Sequence, residues 1–257
     1  MKTCLIVASD LNYINYAEAL IKSCKKHSPD VETIYRYVNN TYKKTLEDFA
    51  DEVIFDRCTL SEKRSIIGGG FDINHPRNKS KNIMDRMISP KRLYCTHVKF
   101  SNCKYALSCG FERVIVSDAD TIIRGDLLSA LDKDRFNNCD IIMKPTQSQR
   151  THEYNFDQVY EEGFFVVNNT VKSTRFIEDI LSQLKKHNEN KTIHLDSDTI
   201  IIGNMLNKDN NIKLTELPTC LKDEKLNDKS IVWSGRAGAK DNYKFKNVMS
   251  QYIDDEE

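Results

Sequence analysis

The amino-acid sequence predicts an α/β protein in which helices cover both faces of a mostly parallel central sheet. The chain has 257 residues, enough for one large α/β domain. Strand-like and helix-like patterns alternate from the N-terminus, which is typical of a parallel sheet. The first strand pattern, "TCLIVAS", is apolar throughout, as expected of a strand that is buried on both faces.

Apolar periodicity predicts the elements in chain order. Helical spacing predicts helices in "YINYAEALIKSCKKH", "THVKFSNCKYALSCG" and "TRFIEDILSQLKKHN", with a shorter helix in "LEDFA". Alternating or continuous apolar runs predict strands in "VETIYRYV", "DEVIFD", "RVIVS", "CDIIMKP" and "GFFVVNN". The segment "TIHLDSDTIIIGNML" predicts a turn with a helix or strand, and "SIVWSGRAGAKDN" predicts a last strand that enters a glycine-bearing loop.

Two segments depart from this rhythm. Residues 65–90 contain three consecutive glycines and predict a long surface loop. From His75 to Lys104 there are eight lysines and arginines against one acid, Asp85. This excess of positive charge predicts either a solvated surface or a basic rim for a phosphorylated ligand. The end of the chain, "YIDDEE", predicts a frayed and solvated tail.

Composition and charge argue against several classes of protein. Basic and acidic residues both number 38, so the overall charge favours no nucleic-acid partner. No apolar run approaches the roughly 20 residues of a transmembrane helix, and the N-terminal run is too short for a secretory signal. The eight cysteines form no C-x-x-C pair, which argues against a structural zinc site. We therefore expect buried, reduced thiols in a cytoplasmic protein.

Two aspartates follow the strand pattern "RVIVS". Asp118 and Asp120 are two residues apart, so both carboxylates can face one site beyond the end of the strand. Like charges this close repel unless a cation neutralises them, and Mg²⁺ or Mn²⁺ prefers such oxygen ligands. The pair therefore predicts a divalent metal site, although aspartates that cap the turn after a strand would give the same pattern.

The segment "VSDADTIIRGDL" resembles the D-x-D region of nucleotide-sugar glycosyltransferases of the GT-A fold, particularly the glycogenin-like, galactosyltransferase-like retaining group. The resemblance implies that Asp118 and Asp120 hold Mn²⁺ or Mg²⁺. It also implies a donor that is a nucleotide-diphosphate sugar, most simply a uridine one, and transfer with retention. The acceptor would be a saccharide, a protein or a phosphorylated molecule. We expect one GT-A domain, in which residues 1–120 form the nucleotide-binding half, 121–250 the half for donor sugar and acceptor, and 251–257 an acidic tail.

The resemblance extends to segments that the family uses to bind the donor. "IVASDLNYI" resembles the first strand and nucleoside-binding loop, "EEGFFVVNNT" a segment whose glycine lies beside the sugar, and Lys99 a basic residue that contacts the donor. The segment "EEGFFVVNNT" also implies a contact between Asn168 and the donor sugar. The donor-binding residues implied in this way are Ala8, Asp10, Tyr13, Lys99, Ser117, Ala119, Gly163, Gly235 and Lys240.

Catalytic candidates follow from the same resemblance. "HLDSDTIIIGNML" resembles a segment in which an acid lies beside the donor sugar, which implies Asp196 and Asp198. Glu162 stands where the family often has a small or amide residue, and as a general base it would favour inversion over retention. The family's histidine, glycine and Lys-Pro-Trp ending is replaced by "VWSGRAGAKDN", where Gly235 and Lys240 take the glycine and lysine places. Asp241, Ser234 or water would then complete the metal site.

Three other functions remain as alternatives. A phosphatase with an aspartate nucleophile would carry D-x-D-x-T, but Ile122 occupies the threonine position. A nucleotidyltransferase would carry a glycine-rich phosphate loop after the first strand, but "SDLNYIN" has neither a glycine nor a basic residue. The missing histidine also fits an inactive domain that binds nucleotide sugars without turnover.

Overall fold

The computed structural model describes residues 1–39, 41, 44–57, 90–146, 158–190, 192–193, 196–208 and 211–253. Within these ranges the chain forms a seven-stranded sheet in the order β3-β2-β1-β4-β7-β6-β8 and a two-stranded sheet of β5 and β9. The strands are β1 (Thr3–Asp10), β2 (Glu32–Asn39), β3 (Glu52–Arg57), β4 (Arg113–Ser117), β5 (Thr121–Ile123), β6 (Ile141–Thr146), β7 (Val159–Asn168), β8 (Leu214–Glu216) and β9 (Val232–Ser234).

Helices connect these strands. The α-helices are α1 (Ile14–His27), α2 (Pro90–Ser108), α3 (Leu127–Leu131), α4 (Asp134–Asn137), α5 (Val171–Glu189), α6 (Ser197–Lys208) and α7 (Tyr243–Met249). Short 3₁₀ helices span Leu11–Tyr13, Lys44–Asp48, Thr219–Leu221 and Arg236–Asp241. The predicted α/β class is therefore confirmed.

The large sheet is mostly parallel, as predicted. Strands β3, β2, β1 and β4 pair in parallel, β7 pairs antiparallel with both β4 and β6, and β8 pairs in parallel with β6. One reversed strand, β7, thus crosses the middle of the sheet. Because β7 runs against β4, its residues near Gly163 reach the carboxyl end of β4, where the two aspartates begin.

The apolar residues of β1 point alternately to two cores. Leu5 and Val7 pack with α1 on one face, whereas Cys4 and Ile6 pack with α2, α5 and α6 on the other face. This alternation explains why the β1 sequence is apolar at every position. A third, smaller core joins Trp233 of β9 to α7 and to α1.

Most predicted elements are present at their predicted places. "LEDFA" overlaps the 3₁₀ helix Lys44–Asp48, and the ambiguous "TIHLDSDTIIIGNML" contains the helix α6. The short elements β5, β8, α3, α4 and α7 were not predicted, because each has too few residues for a visible period. The prediction of a solvated tail is wrong for Tyr252, which is buried in the third core and whose hydroxyl lies 3.1 Å from Nε2 of His27. Residues 65–89 of the predicted loop lie outside the described residues, and its last residue, Pro90, begins α2 instead.

The seven cysteines within the described ranges have free thiols, as predicted, but the predicted burial is wrong for Cys109 and Cys220, which are exposed. Burial raises the pKa of the Cys24 thiol to about 12, so this side chain acts as a small apolar group. Among the described helices, none is both long enough and apolar enough to cross a bilayer.

Candidate active site

A cleft of about 500 Å³ opens at the carboxyl ends of β1 and β4. A larger surface groove of about 740 Å³ between α5 and α6 contains none of the predicted site residues. Ten predicted residues line the cleft: Ala8, Asp10, Tyr13, Lys99, Asp118, Ala119, Asp120, Glu162, Gly235 and Lys240. Among the described residues, six that were not predicted line it too: Ser9, Asn12, Cys95, Thr96, Arg236 and Gly238.

Two glycines hold the acid pair in place. The backbone N–H of Asp118 donates to the carbonyl of Gly163 at 2.7 Å, and the N–H of Gly235 donates to the carbonyl of Asp120 at 2.6 Å. A Cβ atom on Gly163 would lie 2.6 Å from Oδ2 of Asp118, and one on Gly235 would lie 2.8 Å from the Asp120 carbonyl. Only a residue without a side chain fits at either position without a shift.

Lys99 connects α2 to both the acid pair and α6. Its side chain is 5% exposed, and its Nζ lies 3.2 Å from Oδ2 of Asp198 and 3.8 Å from Oδ1 of Asp118. Burial opposes the charge on Lys99, but the carboxylates, led by that of Asp198, raise its pKa. Burial in turn outweighs the attraction of Lys99 and raises the pKa of Asp198 to about 7.

The carboxylate of Asp118 is open to a ligand. Partial loss of hydration raises its pKa, Lys99 opposes this change, and the negative charge of Asp120 adds to it. Because 48% of its side-chain surface is exposed, solvent screens these effects. The Asp118 carboxylate is therefore exposed and close to the negative charge of Asp120. A bound cation would reduce the repulsion between the two carboxylates.

Lys240 contacts Asp120, the second aspartate of the pair. Its Nζ donates to Oδ2 of Asp120 at 3.1 Å and to the hydroxyl of Tyr13 at 2.7 Å, and it lies 4.8 Å from the centre of the Tyr13 ring. Burial opposes its charge, but the hydroxyl of Tyr13 and the carboxylate of Asp120 raise the pKa of Lys240. The 3₁₀ helix Arg236–Asp241 is thereby tied across the cleft to the loop after β1.

The loop after β1 forms one end of the cleft. Asp10 ends the strand, and its Oδ1 accepts the N–H of Asn12 at 3.0 Å, which caps the 3₁₀ helix Leu11–Tyr13. This cap sets the position of Tyr13, whose ring lies 5.4 Å from that of Tyr16. An aromatic ring and polar groups thus lie together at this end.

Glu162 lines the cleft from β7. Burial would raise its pKa, but Lys99, Arg236 and Lys222 surround it and lower the pKa to about 2. Glu162 therefore stays ionised and is a weak proton acceptor near neutral pH.

Sequence reasoning missed a group of cations around Glu161. Oε2 of this glutamate lies 3.0 Å from Nζ of Lys222, 3.7 Å from Nζ of Lys144 and 4.0 Å from Nη1 of Arg236. Lys222 is completely buried, and burial lowers its pKa. Nothing in the segment "TCLKDEK" indicates that Lys222 is buried. Arg236 directly follows Gly235, which was predicted to bind the donor, so the same motif could have indicated Arg236.

Four predicted residues are not among those that line the cleft. Gly163 and Asp198 contact lining residues, as described above. Ser117 is buried at the end of β4, where its hydroxyl donates to the Asp118 carbonyl at 2.9 Å. Asp196 immediately precedes α6, and its carbonyl accepts the N–H of Ile200 at 3.0 Å.

The prediction that Asn168 contacts the sugar is wrong. Its Oδ1 accepts from Nε of the buried Arg113 at 2.8 Å, and its Nδ2 donates to the carbonyls of Phe136 at 2.6 Å and Cys139 at 2.8 Å. These bonds tie the end of β7 to α4, away from the cleft. Of the basic residues in the predicted rim, Lys104 pairs with Glu178 at 2.8 Å. Residues 75–89 of that rim lie outside the described ranges.

The chemistry of the acid pair fits a divalent cation. Asp118 and Asp120 offer carboxylate oxygens, and Mg²⁺ and Mn²⁺ often use only one or two carboxylates together with phosphate oxygens and water. Within the part of the chain that the structure describes, no third histidine, cysteine or acid clusters with them as a metal ligand.

The acids at the end of β4 and the reversed β7 beside them agree with the GT-A fold that the sequence resembles. Comparison with family models agrees, because the model of the nucleotide-diphospho-sugar transferase family matches residues 50–241. The chain therefore belongs to that family and is a glycosyltransferase.

Solved structures show the same fold. The galactosyltransferase LgtC in complex with donor and acceptor sugar analogs is 12% identical, with a TM-score of 0.56 over 96% of this chain and 95% of that one. An active-site mutant of LgtC is 14% identical, with a TM-score of 0.58 over the same shares of the two chains. No curated protein sequence matches.

Proposed function

We propose that this glycosyltransferase moves a sugar from a uridine-diphosphate donor to a saccharide, protein or phosphorylated acceptor, with a requirement for Mn²⁺ or Mg²⁺. The observation that carries the proposal is the acid pair at the end of β4, in which Lys240 lies 3.1 Å from Asp120. Two acids suit a divalent cation, and a lysine beside them suits the phosphates that the cation would bind.

Different side chains of the cleft would bind the nucleoside, the diphosphate and the sugar of such a donor. Asp10 and Tyr13 lie at one end, where an aromatic ring suits a nucleobase. Asp118 and Asp120 would hold the divalent cation, which when bound neutralises the charge that builds on the leaving diphosphate. Lys240 adds a positive charge at the same place. The sugar would lie towards Gly163, because this position lacks a Cβ that would fill the space against Asp118.

We further propose that transfer occurs with retention. An inverting enzyme needs a general base for the acceptor, and Glu162 is the residue that the sequence suggests for that role. Three cations lower its pKa to about 2, so it accepts a proton poorly. Asp198 is held by Lys99 behind the cleft wall, where its charge would orient the sugar end of the donor.

Thermal melting with the uridine, guanosine, cytidine and thymidine diphosphates, each with and without Mn²⁺, tests this proposal. A ligand at 100 times its Kd stabilises the folded state by about 2.7 kcal/mol. We expect the uridine compound to raise the melting temperature only with Mn²⁺, and this rise to vanish in Asp118→Ala but persist in Asp30→Asn, a control at an exposed turn. No shift with any diphosphate would reject the proposed donor site.

A further inference from the structure

Arg236 occupies a position in the cleft that the resemblance does not assign. It begins the 3₁₀ helix Arg236–Asp241, directly after Gly235, whose backbone is bonded to Asp120. Its backbone N–H donates to Oγ of Ser234 at 3.4 Å, and its side chain lines the cleft together with Asp118, Asp120 and Glu162. Arg236 therefore lines the same cleft as the acid pair.

The guanidinium group of Arg236 lies near Glu161 and Glu162 but forms no hydrogen bond with either. Its Nη1 lies 4.0 Å from Oε2 of Glu161, and its Nη2 lies 4.0 Å from Oε1 of Glu162. Both distances are too long for hydrogen bonds. Nη1 is buried and has no hydrogen-bond partner, although 31% of the side chain as a whole is exposed.

Three nearby lysines already lie beside carboxylates. Lys222 lies 3.0 Å from Glu161, Lys240 lies 3.1 Å from Asp120, and Lys99 lies 3.2 Å from Asp198. Nη1 of Arg236 and Nζ of Lys222 are both buried without a hydrogen-bond partner among the described residues, but Arg236 lines the cleft whereas Lys222 is completely buried. A buried donor without a partner costs free energy, which a ligand oxygen at this position would recover.

We propose that Arg236 binds the distal phosphate of the donor, as a second cation beside Lys240. This inference rests on the proposed function. The planar guanidinium group presents paired N–H donors that match phosphate oxygens, and such bidentate bonds are stronger than bonds between neutral groups. Lys240 follows four residues later on the same short helix, so both side chains would reach the diphosphate from one segment. Arg236 would stabilise the charge of the leaving group when the bond to the sugar breaks.

Binding of UDP and UMP, each with Mn²⁺, to wild-type, Arg236→Met and Arg236→Lys proteins by calorimetry tests this role. We expect Arg236→Met to bind UDP about ten- to one-hundred-fold more weakly and to bind UMP as the wild type does, because only UDP has a distal phosphate. Arg236→Lys keeps the charge and should fall between. Arg175→Met, on the 83% exposed Arg175 of α5, is the matched control and should bind both nucleotides normally.

Each other outcome counts against the inference. Unchanged UDP affinity in Arg236→Met, or an equal loss for UDP and UMP, would overturn it, the second result indicating a structural role. Weaker binding of a UDP-sugar with unchanged UDP binding would indicate a sugar contact instead. If Arg236→Met melts too low for calorimetry, Arg236→Gln carries the same comparison. Failure of the wild-type protein to bind any nucleoside diphosphate would reject the proposed function itself, and with it the role of Arg236.

Discussion

Gly163 lies so close to Asp118 that a Cβ atom at position 163 would approach Oδ2 of Asp118 to 2.6 Å. The same two residues share a backbone hydrogen bond of 2.7 Å, so neither chain segment can move away easily. The atom in conflict is the end of an aspartate side chain, which can rotate. A side chain at position 163 would therefore displace the carboxylate more readily than it would disrupt the sheet.

Gly163→Ala should accordingly damage the site more than the fold. We expect its Mn²⁺-dependent affinity for a nucleoside diphosphate to fall by about tenfold or more, which corresponds to roughly 1.4 kcal/mol. Calorimetric titration measures this change. Gly125→Ala is the matched control, since a Cβ there meets Ile231 at an ordinary 3.4 Å. Normal nucleotide binding by Gly163→Ala would show that the contact with Asp118 does not position the acid.

Lys240 and a divalent cation should compete for Asp120. In Lys240→Met the carboxylate of Asp120 loses the ammonium group at 3.1 Å, so Mn²⁺ alone should bind more tightly than to the wild type. The diphosphate should bind more weakly, because it loses a positive partner. Titration with Mn²⁺ and then with UDP separates the two effects. Lys246→Met, on the exposed side of α7, should change neither, and a parallel fall of both affinities in Lys240→Met would contradict the account.

Asp198 should make the stability of the protein depend on pH. Lys99, His97 and Glu162 surround it, and burial raises its pKa from near 3.9 in the unfolded chain to about 7. Between these values the folded chain holds more protons than the unfolded chain. The contribution of Asp198 is thus complete below about pH 4 and is lost as the pH rises through 7.

Urea unfolding at pH 5 and pH 8 measures that loss. Asp198→Asn cannot ionise, so its free energy of unfolding should fall less between the two pH values than that of the wild type. Asp30→Asn, at an exposed turn, should show the wild-type difference. Equal pH dependence in Asp198→Asn and the wild type would mean that Asp198 is ionised throughout this range.

Asn168 should matter for stability and not for ligand binding. Asn168→Ala removes the acceptor of the buried Arg113 and the donor to the carbonyls of Phe136 and Cys139. Buried groups left without partners cost about 1–3 kcal/mol each, so we expect a loss of a few kcal/mol in urea unfolding. Asn247→Ala, on the exposed side of α7, should cost little. A specific loss of donor affinity in folded Asn168→Ala would restore its predicted sugar contact.

The sequence predicts the sheet and the acid pair well because both depend on local patterns. The apolar run of β1 and the aspartates after β4 can be recognised from neighbours along the chain. Contacts between distant segments carry no such local signal. Lys222 joins Glu161 across 61 positions of sequence, and nothing around it marks a buried lysine. The prediction of a sugar contact at Asn168 was wrong for the opposite reason. Its segment resembles a local motif of the family, but its side chain is hydrogen-bonded to α4 instead.

The most direct test of the central claim is the release of UDP from UDP-sugars by the purified protein, with Mn²⁺ or with EDTA, in the wild type and in Asp120→Asn. We predict release of UDP by the wild type with Mn²⁺, a loss of at least about one hundredfold with EDTA or in Asp120→Asn, and an unchanged melting temperature for the variant. UDP release that continues at the wild-type rate in Asp120→Asn or in EDTA would contradict the proposal that the acid pair and its cation carry the reaction.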